Sequence, residues 1–345
     1  MKVAIVSSFV PFVGGGARNI VDWLAAELEK RGHEVVKVLL PFSDEPRFLF
    51  QQIAAFRTID LTDSADIAIC IRPPAYFIKH PRKVVWFIHH LRTYYDLWES
   101  EFRLTRDTAI TRARRDSLRR ADTAALGEAT RIFVNSVVVG ERLKKYNDIE
   151  STVLYPPLPT DYRGSSNDAG DTITYISRLD LTKRQHLLID ALALTTSDVR
   201  LVLAGKAADA SYSTFLREHA ENLGVEHRVT IDDRWVSDDE KADLIASSFA
   251  VAYLPVDEDS YGYPTLEAAR VQRPVLTAVD SGGVLELVSD GLNGRVVEPT
   301  PQALAAAMDD LFFDRDNSAR MGVALSQSVS DLDISWDTVI EGLLS

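Results

Sequence analysis

The sequence predicts an α/β protein built from two Rossmann-like, doubly wound domains in succession, facing a central cleft. Short β-branched runs alternate with amphipathic stretches along most of the chain. The alternation breaks once, at Tyr155-Pro156-Pro157-Leu158-Pro159 and the polar residues 164–171, which read as a linker. It then begins again, and 345 residues is the length of about two ordinary domains.

The first domain is expected over residues 1–160. Residues 2–6 read as a strand, followed by a loop ending in Gly14-Gly15-Gly16. A helix is expected over 18–31, because Ile20, Leu24 and Leu28 recur on one face and Gly32 is placed to end it. Further strands are expected at 34–40, 67–71, 84–88 and 131–134. An arginine-rich helical stretch is expected over 93–126. The second domain, 161–330, repeats the pattern. Its strands are expected at 172–177, 200–204, 228–231, 250–254 and 274–278, and its helices at 183–194, 212–223, 238–247, 265–271, 284–288 and 300–313. A final helix closes the chain over 335–344.

Composition narrows the function. No apolar run approaches the roughly 20 residues of a membrane span, and the first residues read as a strand rather than a signal peptide. The single cysteine, Cys70, excludes an internal disulfide and fits a reducing, cytoplasmic setting. The net charge of −13 argues against general nucleic-acid binding. The charge is uneven, however. Residues 1–160 carry 23 Lys+Arg against 19 Asp+Glu, and the rest carry 15 against 32. The basic first half leaves room for an anionic partner such as a lipid-bound acceptor, or for peripheral contact with the inner face of a membrane. An ordinary solvated surface is the alternative, above all for Arg103, Arg106, Arg112, Arg114, Arg115, Arg119 and Arg120, which spread over more than one helical face.

Two constellations suit chemistry. In Ser177-Arg178-Leu179-Asp180-Leu181-Thr182-Lys183-Arg184 a buried strand runs into a helix. Thr182 and Gln185 have capping-box spacing, which would put Lys183 on the first helical turn. Two cations at a helix N-terminus, at the C-terminal edge of a parallel sheet, suit a diphosphate. Solvated basic residues at a helix start are the bland alternative. In Asp257-Glu258-Asp259-Ser260-Tyr261-Gly262-Tyr263-Pro264-Thr265-Leu266-Glu267, Gly262 permits a tight turn and Pro264 suits a helix start. Glu267 is then expected on the first turn, where a carboxylate either accepts two ribose hydroxyls or simply offsets the helix dipole.

Other chemistries fit less well. A dinucleotide fingerprint would need glycine where Asn19 stands. Asp257-x-Asp259 has the form of a metal-binding pair, but its setting is the Gly-Tyr-Pro loop, so no metal is expected. His89 and His90 end the apolar run 84–88. The remaining histidines, at 33, 80, 186, 219 and 227, lack metal-ligand spacing with a third partner.

Taken together and in this order, the two constellations resemble the donor domain of the GT-B glycosyltransferases, specifically family 4, a retaining group. Leu201-Val202-Leu203-Ala204-Gly205, Ser281-Gly282-Gly283-Val284-Leu285-Glu286 and Asp290-Gly291-Leu292-Asn293-Gly294 extend the likeness. The run Trp86-Phe87-Ile88-His89-His90-Leu91-Arg92 is similar to members that build bacterial polysaccharides. The family shows two glutamates separated by seven residues. Here Asp259 holds the first place, with Glu258 one step early, and Glu267 holds the second. Arg184 stands where the family usually has glycine.

The resemblance implies a donor domain at 161–330, an acceptor-side domain at 1–160, and a last helix at 331–345 packing back on the first domain. It implies that Arg178 and Lys183 neutralise the diphosphate of a nucleoside diphosphate sugar. Asp259 or Glu258 faces the sugar, and Glu267 holds the ribose. The loops with Gly15 and Gly16, with Gly262, Tyr263, Pro264 and Thr265, and with Gly282 and Gly283 lie against substrate. His89, with His90 as the alternative, lies near the sugar. The implied reaction moves a hexose to a glycan or lipid-linked hydroxyl with retention and without a cofactor. An epimerase or phosphorylase on the same fold, and a non-catalytic sugar-nucleotide binder, are the alternatives.

Overall fold

The computed structural model describes residues 1–11, 15–43, 45–100, 102–103, 105–160, 162, 169–207 and 209–345. The chain forms two compact units. One comprises Met1–Pro156 with Ser335–Ser345, the other Pro157–Ile334.

The first unit contains β1 (Lys2–Phe9), α1 (Gly16–Lys30), β2 (Glu34–Pro41), α2 (Leu49–Arg57), β3 (Ile67–Cys70), β4 (Lys83–Phe87), α3 (Ala109–Leu126), β5 (Arg131–Val134), α4 (Val137–Asn147) and β6 (Thr152–Val153). Its six strands are all parallel, in the order β2-β1-β3-β4-β5-β6. Helix α1 forms as its periodicity predicts, burying Ile20, Leu24 and Leu28. It stops at Gly32, whose φ of 79° lets its N–H reach the Glu29 carbonyl while His33 reaches Leu28. The arginine-rich stretch is shorter than expected. Residues 92–94 and 96–99 are single 3₁₀ turns, and α3 starts only after Thr108, in a capping box with Thr111. Helices α2 and α4 are additions to the predicted set.

The second unit contains β7 (Thr172–Ile176), α5 (Gln185–Leu192), β8 (Arg200–Ala204), α6 (Ala210–Asn222), β9 (Val229–Asp232), α7 (Asp238–Ser247), β10 (Ala250–Ala252), α8 (Tyr263–Arg270), β11 (Val275–Ala278), β12 (Gly294–Val297), α9 (Pro301–Phe313) and α10 (Arg315–Asp331). Its sheet is again six-stranded and parallel, ordered β12-β11-β10-β7-β8-β9. Strand β12 and helix α10 lie outside the predicted set, and the helix expected at 284–288 is only a 3₁₀ turn at Gly283–Glu286. The chain runs outward from β7 to β9, then returns to place β10 on the other side of β7. The loops after β7 and β10 therefore leave from the topological switch point, where such sheets bind ligands.

Helix α11 (Trp336–Leu344) belongs to the first unit. Trp336, Val339, Ile340 and Leu343 are buried, and Trp336 meets Trp86 of β4 edge-on at 6.5 Å. The linker residues 164–168 and Gly14 lie outside the described residues. Among the described residues, no helix is long and apolar enough to cross a membrane.

Candidate active site at the switch point of the second sheet

The loop after β7 does not cap as its sequence suggests. Asp180, not Thr182, caps the 3₁₀ turn Leu181–Lys183, its Oδ1 accepting from the Thr182 N–H at 2.9 Å. Lys183 therefore sits on that turn, one residue before Arg184 and two before α5 begins. The placement still directs its side chain inward. Its ammonium pairs with Glu258 Oε2 and donates to the Tyr253 hydroxyl at 3.2 Å. Tyr253 in turn donates to Glu258 Oε2 at 3.0 Å, so three groups from two loops share one hydrogen-bonded cluster. Beneath it, the buried Tyr175 hydroxyl donates to the Lys183 carbonyl at 2.6 Å and accepts from Leu254 N–H at 3.0 Å.

Arg178 is exposed, and its guanidinium has no hydrogen-bond or ion-pair partner among the described residues. Its carbonyl is held by Gln185 Nε2 at 2.9 Å. Arg184 plays a different part. It takes the left-handed conformation, with φ 55°, that glycine would accept without strain. In return its buried guanidinium donates to the carbonyls of Leu254 at 2.8 Å and Pro255 at 2.9 Å, and to both carboxylate oxygens of Asp280 at 2.7 and 2.8 Å. One side chain thus ties the loops after β7, β10 and β11 together.

The loop after β10 kinks at Asp257, which has a φ of 45°. Its N–H donates to the Asp280 carbonyl at 2.9 Å, and Glu258 then bridges to Gly282 in parallel fashion. The Glu258 carbonyl accepts from Gly283 N–H at 2.9 Å. No side chain fits here. A Cβ on Gly282, φ 62°, would stand 2.5 Å from the Glu258 oxygen, and one on Gly283 would stand 2.6 Å from Ser260 Cα. Gly262 is bound in the same way, since its Cβ would meet the Tyr253 ring at 2.3 Å. The structure thus brings Glu258 to Lys183, while Asp259 lies one residue farther along, half-buried.

Helix α8 begins at Tyr263 with Pro264 second, and the Thr265 hydroxyl donates to the Tyr261 carbonyl at 2.7 Å. This earlier start makes Glu267 the fifth helical residue, beyond the first turn where it was expected. Dipole compensation is correspondingly weaker there. Glu267 is 3% exposed, and its Oε1 lies 3.3 Å from the Lys241 ammonium. Burial pushes its carboxyl above the usual carboxylate range, and Lys241 opposes that shift. Among the described residues, no group of three or more His, Cys, Asp or Glu is placed to hold a metal ion.

Two sequence candidates lie in the first unit. His89 follows β4 half-buried, its Nδ1 2.6 Å from the His90 carbonyl, and burial holds its pKa down to about 4. His90 is a core residue, with Nε2 2.9 Å from Asn147 Oδ1 and its ring 4.1 Å from that of Tyr95. Gly15 caps α1 and Gly16 opens it; the Gly15 carbonyl accepts from Arg18 N–H at 2.9 Å. A side chain at Gly15 would meet nothing within 4 Å.

Sequence reasoning gave no role to Tyr253, Tyr175, Lys241 or Asp280. Tyr253 and Tyr175 lie in apolar strand runs, and Lys241 lies on a helix with an acidic start. Only Arg184 left a signal, as a large side chain at a usual glycine position.

Known proteins resemble this chain in sequence and fold. The profile of glycosyl transferases group 1 matches residues 163–325. The human alpha-1,3/1,6-mannosyltransferase ALG2 is 27% identical over 303 residues, covering 80% of this chain and 70% of that protein. Its Dictyostelium discoideum counterpart is 31% identical over 173 residues, 45% of this chain but only 40% of its own length. Among solved structures, Anabaena Alr3699/HepE in complex with UDP and glucose superposes with a TM-score of 0.73 at 18% identity, covering 98% of this chain and 97% of that one. The profile falls on the unit that carries the loops of Lys183, Glu258 and Gly282, and the fold likeness spans both sheets: the second unit matches the group 1 glycosyltransferases, and the chain has the GT-B fold.

Proposed function

We propose that this chain transfers a hexose from a nucleoside diphosphate sugar to a hydroxyl of a glycan or lipid-linked acceptor, with retention of anomeric configuration and without a metal. The observation that carries this reading is the convergence of the Lys183, Glu258 and Gly282–Gly283 loops at the switch point, with Arg178 exposed beside them. Breaking the anomeric C–O bond leaves negative charge on the diphosphate. Lys183, held by Glu258 and Tyr253, and Arg178, exposed beside them, supply cations for that charge and give the reaction its electrostatic stabilisation. Glu258, sharing Lys183, takes the place of the family's first carboxylate and faces the sugar, in preference to Asp259. Glu267 accepts the ribose hydroxyls. The acceptor hydroxyl attacks from the leaving-group face, its oxygen bonding to the anomeric carbon as the diphosphate oxygen departs and takes the proton.

In this reading the second unit binds the donor and the first serves the acceptor side in the cytoplasm. The arginines between 103 and 120 give little support to a membrane-binding face. Arg115 and Arg103 lie over the Trp98 ring at 4.7 and 5.3 Å, and Arg119 donates to the Tyr94 carbonyl. Co-sedimentation with anionic vesicles tests peripheral contact, and absence of salt-sensitive binding removes it.

The donor reading is tested by thermal shift with UDP, GDP, ADP and their hexose conjugates, with and without magnesium. One nucleotide is expected to raise Tm independently of magnesium. Arg178→Ala and Lys183→Ala are each expected to lower the transfer rate by about 10²–10³-fold. Undiminished transfer in both would overturn the assignment.

A further inference from the structure

Glu267 is almost fully buried, and a buried carboxylate is costly unless it is paired. Helix α7 supplies the pairing. Lys241 Nζ lies 3.3 Å from Glu267 Oε1, and its side chain is only 16% exposed. The ammonium is itself held by Asp238 Oδ1 at 2.6 Å, three residues earlier on the same helix. The other titratable groups acting on this site are the phenols of Tyr162, before β7, and Tyr263, on α8 itself. Neither is a cation, and Asp238 is a second anion. Among these groups Lys241 is thus the cation that offsets the Glu267 charge. An ionised carboxylate accepts from two hydroxyls at once, whereas the neutral acid is a poorer acceptor and carries a proton of its own.

We propose that Lys241 is a positioning residue for donor binding, holding Glu267 as an oriented carboxylate able to accept both vicinal hydroxyls of the donor ribose. The proposal rests on the reading of Glu267 as the ribose-binding group. Lys241 acts through Glu267 and has no required contact with the sugar or the diphosphate. Without it, burial and Asp238 push the Glu267 carboxyl in the same direction, toward the neutral form.

The test is calorimetric titration of the full chain with UDP or GDP, whichever raises Tm more, against the 2′-deoxy form of the same nucleotide. Wild type is expected to prefer the ribonucleotide by about tenfold, the worth of one hydrogen bond to a charged group. In Lys241→Met the preference should vanish at the acid end of the pH range and return as pH is raised and Glu267 ionises. Lys241→Arg should keep it throughout. Should Lys241→Met fail to fold, Lys241→Gln, which keeps a donor but no charge, carries the same expectation. A preference in the neutral variants equal to wild type at every pH overturns the role of Lys241 and leaves the Glu267 reading standing. A wild type that binds both nucleotides equally, or neither, overturns the Glu267 reading itself.

Discussion

At the scale of single residues, Arg184 shows how a position that favours glycine tolerates a large side chain. The left-handed backbone costs about 1–2 kcal/mol for a residue with a Cβ. The hydrogen bonds to Leu254, Pro255 and Asp280 more than offset it. Arg184→Ala keeps the strain and loses the bonds, so a loss of about 2–3 kcal/mol is expected. Arg184→Gly loses the bonds but not the backbone fit, and should recover about 1 kcal/mol of that. Urea denaturation of the two variants checks the order; a glycine variant no more stable than the alanine one would contradict it. Asp122 gives a pH prediction. It is buried and accepts from the Tyr76 and Tyr95 hydroxyls at 2.9 and 2.6 Å, yet burial pushes its pKa up to about 7. A carboxyl raised above its unfolded value of about 4 binds more protons when folded. Its contribution to stability is therefore present in acid and lost as pH rises from about 4 to about 7. Asp122→Asn should flatten that part of the urea-midpoint profile between those limits, and an unchanged slope would show that Asp122 does not titrate there.

At the scale of elements, the end of the chain completes the first unit. Helix α11 buries Trp336, Val339, Ile340 and Leu343, while Arg82 donates to the Leu344 carbonyl at 2.6 Å. The Arg31–Asp337 pair adds little, because Asp337 is 87% exposed. Trp336→Ala removes the edge-on contact with Trp86 and leaves a cavity, so a loss of about 3–5 kcal/mol is expected in guanidinium unfolding. A loss below about 1 kcal/mol would mean that α11 is not held by this core. Element identity was largely legible in the sequence. The ranges expected for β8 and α7 match the structure, because alternation and i, i+4 spacing belong to neighbouring residues. The cap at Thr182 and the first-turn place of Glu267 were misjudged. Asp180 instead takes both the N–H and the hydroxyl of Thr182, and Gly262 with Pro264 starts α8 two residues earlier than expected.

At the scale of the molecule, two compact units with separate sheets should unfold in separable steps. Calorimetry is expected to show two transitions. The donor nucleotide at about 100 times its Kd should stabilise only one of them, by about 2.7 kcal/mol. A single transition moved as a whole by the nucleotide would show the units to be one cooperative body. The sequence by itself determined the two α/β units, most of their strands and helices, and the residue types at the sheet edge, since each follows from patterns within a few consecutive residues. Only the tertiary structure decided which of those residues meet. Lys183 finds Glu258 across 75 positions, Arg184 finds Asp280 across 96, and Lys241 finds Glu267 across 26. Those pairings follow from strand order. The return of β10 to the side of β7 sets the distances between their loops, and no local period in the chain encodes that return.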